Sequence, residues 1–180
     1  MKYDLFNVIS DGANTRYGSL FSSYEFYFKW NSTNGDDYSN ADGIDAIHVL
    51  IEGLFAHRTI LSILQSYVYF PDNSDSNTLI LPKYYQYYGT EAMYAHILEE
   101  HEKGSGKGGT YWGATGCGKS YTMLFLSKRL TTSIELHKPT IVLLTDRNDL
   151  DEQLSGDFEN AKEFLVDENS ISIPNRNKLG

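Results

Sequence analysis

Eight consecutive residues, Gly113-Ala114-Thr115-Gly116-Cys117-Gly118-Lys119-Ser120, fit the spacing G-x-x-x-x-G-K-[ST]. The chemistry of that spacing is the grip on a nucleoside triphosphate. Glycines let the backbone curl so that successive N–H groups point inward at the phosphates. Lys119 brings a point charge to the β- and γ-phosphates, and the Ser120 hydroxyl is placed to ligate Mg²⁺. A helix beginning at the loop adds its positive end to the same anion. The cofactor set is therefore Gly113, Gly116, Cys117, Gly118, Lys119, Ser120 and Tyr121 for ATP, with Ser120 also the metal ligand. Cys117 stands at a variable loop position and reads as filler rather than nucleophile.

The loop works only if its flanks are ordered. Gly109-Thr110-Tyr111-Trp112 is short, aromatic and β-branched, and reads as a strand entering it. Residues 121–130 have helical length with Lys128 and Arg129 in the last turn. Pro139 precedes a nearly all-apolar second strand, Thr140-Ile141-Val142-Leu143-Leu144, of the kind buried on both faces. Thr145-Asp146-Arg147-Asn148 caps a helix starting near Asp149. A further helix and a polar tail are expected beyond Asn160. Strands alternating with helices indicate an α/β protein with a parallel sheet.

Upstream, residues 5–10 and 26–30 read as strands separated by the turn-rich Asp11-Gly12-Ala13-Asn14, with a polar loop over 31–42. Ile44, Ile47, Leu50, Ile51, Leu54 and Phe55 follow helical spacing. A second helix is expected over 59–65, then a short strand at 67–70 ended by Pro71. A helix from about Lys83 to His101 leads into the linker Gly104-Ser105-Gly106-Lys107-Gly108. On its first turn, Lys83-Tyr84-Tyr85-Gln86-Tyr87-Tyr88 suits core packing, base stacking or base recognition. Gln86 favours the last: a side-chain amide can pair with adenine N6 and N7.

The chain has 180 residues and a net charge of −9. Residues 1–100 hold 5 basic and 13 acidic side chains, against 10 and 11 in residues 101–180. So acidic a chain is a poor independent DNA binder, because phosphate neutralisation drives non-specific affinity. A single cysteine excludes an internal disulfide framework and fits the cytoplasm. No membrane-spanning run occurs.

Three patterns imitate motifs. Gly104-Ser105-Gly106-Lys107-Gly108-Gly109 fits a dinucleotide fingerprint but lies between helix and strand, the reverse of the required order. Phe164-Leu165-Val166-Asp167-Glu168 resembles a strand ending in metal-holding carboxylates, yet its apolar spacing is helical. His96 and His101 lack cysteine or carboxylate partners for a zinc site.

Gln86 with its tyrosines, the loop at 113–120, and Thr145-Asp146-Arg147-Asn148-Asp149-Leu150 stand in an order that resembles the first motor lobe of a superfamily 2 helicase or translocase. The likeness is closer still to the R (restriction and translocation) subunit of type I restriction–modification enzymes, and it covers residues from about 4 to 165. It implies a partial RecA-like domain over 83–180, preceded over 1–82 by a smaller mixed α+β region linking nuclease to motor. It implies an adenine contact for Gln86, phosphates and Mg²⁺ for Lys119 and Ser120, and a place beside the DNA strand for Thr145, Asp146 and Arg147. Double-stranded DNA and the modification and specificity subunits of the same system would be partners, with no membrane. This family often has His and Gln where Gly113 and Thr115 stand. Its nuclease carboxylates and its Asp-Glu box are missing here, so a fragment inactive alone is expected. The rival readings are a small phosphotransferase and a non-enzymatic adaptor with a vestigial loop.

Overall fold

A computed structural model describes residues 5–20, 22–36, 42–72, 79–144 and 148–165 of the chain. The first strand, β1 (Phe6–Ser10), pairs antiparallel with β2 (Thr15–Ser19), Phe6 opposite Ser19 and Ser10 opposite Thr15. Asp11 makes the turn: its Oδ1 accepts the backbone N–H groups of Ala13 at 2.8 Å and Asn14 at 2.6 Å. A side chain that satisfies its own turn favours the nearest possible pairing partner. This corrects the expectation that 26–30 is the second strand. Those residues follow a 3-10 turn at Tyr24–Phe26 and reach the hairpin by a single bridge between Tyr17 and Phe28.

Among the described residues six helices follow: α1 (Ile44–Gly53), α2 (His57–Ser66), α3 (Tyr84–Glu102), α4 (Lys119–Thr131), α5 (Asn148–Glu159) and α6 (Lys162–Leu165). The expected helices are borne out with small shifts of their ends. The expected strand at 67–70 is reduced to one bridge, Tyr69 to Ile80. No single described helix is long and apolar enough to cross a membrane.

Aromatic side chains make much of the core. Trp30 is 2% exposed and sits among the rings of Tyr17, Tyr84, Tyr87 and Tyr88, with centroids 5.7 to 6.5 Å apart. Edge-on and tilted rings at such distances add to the free energy of burial. The Tyr17 hydroxyl donates to the Pro82 carbonyl at 2.5 Å, tying the hairpin to the entrance of α3. Phe125, fully buried on α4, meets Tyr67 at 5.2 Å and Phe164 of α6 at 6.4 Å. One hydrophobic cluster thus runs from Tyr17 through Tyr87 and Phe125 to Ala161.

The expected parallel sheet is not seen among the described residues, whose one sheet is the antiparallel pair β1–β2. Residues 109–112 and 140–144 join no ladder, and Trp112 and Leu144 are each 85% exposed. A strand is stable only with a neighbour for its N–H and C=O groups and cover for its side chains. No described segment pairs with either run, and apart from Tyr111, which packs toward Gly89 and Gly113, and the half-buried Ile141, their side chains are exposed.

Candidate nucleotide-binding site

The loop at 113–118 turns directly into α4, with Gly118 as the cap. Gly118 has φ 79° and ψ 45°, a left-handed conformation that disfavours other residues. A Cβ there would also lie 2.5 Å from Gln86 Nε2. Glycine is required twice over, once by the backbone and once by its neighbour.

That neighbour organises the loop. Gln86, 3% exposed in the first turn of α3, donates from Nε2 to the carbonyls of Cys117 at 3.2 Å and Gly118 at 3.1 Å. Its Oε1 accepts the Lys83 N–H at 2.9 Å, which closes the α3 N-terminus. In a trans peptide the C=O and the following N–H point in opposite directions. Holding the carbonyls of Cys117 and Gly118 toward α3 therefore aims the N–H groups of Gly118 and Lys119 away from it. Lys119 does the same across the loop, donating from Nζ to the Gly113 carbonyl at 2.9 Å and the Ala114 carbonyl at 3.0 Å.

The N–H groups of Gly116, Gly118, Lys119, Ser120 and Tyr121 donate to no described backbone carbonyl. Unpaired donors at a helix start, with the positive end of the helix dipole behind them, form an anion cradle. Lys119 is exposed, with one of its three ammonium protons uncommitted by the two carbonyls. The half-buried Ser120 hydroxyl, a hard oxygen ligand, opens the first turn of α4. This donor set fits a triphosphate with Mg²⁺.

Gln86, Gly113, Gly116, Cys117, Gly118, Lys119 and Ser120 thus come together as the sequence suggested. Tyr121 joins through its backbone, since its ring stacks on Phe125 at 6.5 Å, facing the core. Thr145, Asp146 and Arg147 lie outside the described residues, as do Asp167 and Glu168. Among the described residues no group of three potential metal ligands occurs, so His96 and His101 form no such cluster.

Two features escaped sequence reasoning. Tyr111 lies against the loop, its ring 3.4 Å from where a Gly113 Cβ would stand. Burial raises the pKa of its hydroxyl and that of Tyr85, and the Cys117 thiol adds to both. The second is an ion pair joining α3 to α4. Arg129 Nε lies 2.8 Å from Glu91 Oε1, and Nη2 donates to Oε2 at 3.2 Å. The Tyr67 hydroxyl donates to Glu91 at 2.5 Å, and burial together with that carboxylate pushes its pKa far above the usual range. Arg129 also lies 4.3 Å over the Tyr94 ring. These partners stand 38 and 24 residues apart in sequence, so no local spacing announces them.

Residues 85–179 match the SWI2/SNF2 ATPase family. The chain is 34% identical over 175 residues to the type I restriction enzyme HindI endonuclease subunit of Haemophilus influenzae, covering 96% of this chain and 16% of that protein. It is 29% identical over 191 residues to the putative type I restriction enzyme MjaIXP endonuclease subunit of Methanocaldococcus jannaschii, covering 96% and 18%. For the SauCOLORF180P endonuclease subunit of Staphylococcus aureus the values are 27% over 165 residues, covering 89% and 16%. The chain spans about one sixth of the length of these relatives. The family match takes in the first turn of α3, the phosphate cradle and all of α4, more than half of the sequence: this chain belongs to the SWI2/SNF2 ATPase family, and its homologues are type I restriction endonuclease subunits.

Proposed function

We propose that this chain is the ATP-binding part of a type I restriction–modification R subunit, a motor that couples ATP hydrolysis to movement along double-stranded DNA and to cleavage. The observation that carries the reading is the cradle at α4, whose inward N–H groups are set by Gln86 and Lys119. Residues 83–180 form the start of the first motor lobe and residues 1–82 the region linking it to a nuclease. The modification and specificity subunits of the same system are the protein partners, and the compartment is the cytoplasm. Segments 109–112 and 140–144 serve as parallel strands of the whole lobe, which explains their apolar side chains.

In binding, Lys119 would turn its ammonium to the β- and γ-phosphates, and Ser120 would hold Mg²⁺. When held there, Mg²⁺ would supply charge neutralisation for phosphoryl transfer to water. Gln86 orients the loop peptides. Reading adenine would require its amide to exchange the partners it holds here. Thr145, Asp146 and Arg147 would lie beside the DNA strand. The 180-residue chain alone is expected to hydrolyse ATP near background.

The test is nucleotide-dependent thermal stabilisation with Mg²⁺. ATP raises the melting temperature of the chain, and Lys119→Ala removes that rise. Equal melting temperatures with and without saturating ATP would return the loop to a vestigial role. Brisk turnover by the chain alone would overturn the partial-motor reading.

A further inference from the structure

A cavity of about 370 Å³ opens between α2, α3 and α4, away from the phosphate loop. It is lined by His57, Arg58, Ser62 and Gln65 of α2, by Glu91 of α3 and by Arg129 of α4. Arg129 is ten residues beyond Lys119, so about 15 Å of helix separates the two sites. We propose that this cavity is a second anion site, binding a phosphate-bearing ligand.

Charge decides the ligand class. Among the described residues Glu91 is the one acidic residue in the lining, and its carboxylate is occupied by Arg129 and the Tyr67 hydroxyl. Arg58 forms no ion pair or hydrogen bond among the described residues, and neither does His57. Arg129 is held in place by Glu91 on one side and by the Tyr94 ring beneath it. A guanidinium fixed in advance loses little freedom when it takes an anion, and its planar fork suits phosphate oxygens. Among the described residues the lining therefore offers the Arg58 charge, the His57 imidazole, the Gln65 amide and those guanidinium N–H groups of Arg129 that Glu91 does not engage, the Arg129 charge itself being balanced by Glu91. Its volume falls in the range of small-ligand sites. In a chain of net charge −9 such a place is set apart from the rest of the surface.

The ligand is either free phosphate or pyrophosphate, or a phosphate of a nucleic-acid backbone. The experiment uses the whole 180-residue chain carrying Lys119→Ala, which silences the phosphate loop and keeps this inference separate from ATP binding. Pyrophosphate and a short DNA duplex are titrated in turn by calorimetry, with amide NMR shifts at Ser62 and Gln65 as the local readout. Arg58→Ala and His57→Ala are the variants, since both residues are exposed and their removal leaves the Glu91–Arg129 pair intact. Loss of one charge-assisted contact weakens binding about tenfold. Pyrophosphate binding that falls so in Arg58→Ala supports the site with a free ligand. Duplex binding alone that falls so supports it with backbone phosphate. Affinities that stay within about twofold in both variants, or absence of binding by both probes, overturn it.

Discussion

Gln86 spends its whole side-chain amide on the protein: two carbonyls of the loop on one end, the Lys83 N–H on the other. Gln86→Ala should weaken ATP and GTP alike, by about tenfold, because the loop peptides lose their orientation. Gln86→Glu should bind no better than Gln86→Ala, since a carboxylate cannot donate to Cys117 and Gly118. Competition binding with both nucleotides checks this. A loss confined to ATP would assign the amide to the base instead. Gly118→Ala should weaken nucleotide binding in a folded protein, because a Cβ strains the left-handed backbone there and displaces the Gln86 amide. The motif spacing made these residues legible. The peptide-plane role of Gln86 was not, because it depends on how α3 packs against a loop more than thirty residues away.

Between elements, the Glu91–Arg129 pair holds α3 to α4. Both side chains are about one quarter exposed, so solvent screens part of the interaction. Arg129→Ala should destabilise the chain by about 2 kcal/mol, below the usual figure for a fully buried pair, with urea denaturation as the measurement. At the hairpin, two backbone N–H bonds, first Asn14 and then Ala13, hold the Asp11 carboxyl below its ordinary value. A group whose pKa is lowered by folding contributes stability above the unfolded value, and that contribution fades as pH falls through the folded one. Asp11→Ala should therefore melt earlier than wild type at neutral pH, and the gap should close below about pH 4. Helices were readable in the sequence because a helix closes its own hydrogen bonds and shows its buried face every three or four residues. The apolar run at 140–144 carried equally clear strand character. Pairing is a property of two segments, and no described segment lies alongside it.

For the whole molecule, the cluster from Tyr17 to Ala161 joins the proposed linking region to the proposed start of the motor, so the two should unfold in a single transition. Coincident melting by fluorescence and circular dichroism is the expected result. An earlier transition confined to residues 1–82 would divide them. The core around Trp30 was only partly legible: packing was one of three readings of the tyrosine run, and its partners Trp30 and Tyr17 came from separate stretches of chain.

Trp112, Ile134, Val142 and Leu144 stand 69 to 87% exposed. Greasy, β-prone backbone with free edges invites self-association through cross-strand stacking. Prepared alone, the chain should be a poor citizen of concentrated solution, with turbidity rising on concentration and warming well before its folded part melts. Charged gatekeepers in that run, such as Val142→Lys with Leu144→Asp, should raise the solubility limit and leave the melting temperature unchanged. Handling properties would then report, before any assay of activity, that this surface was shaped to be covered.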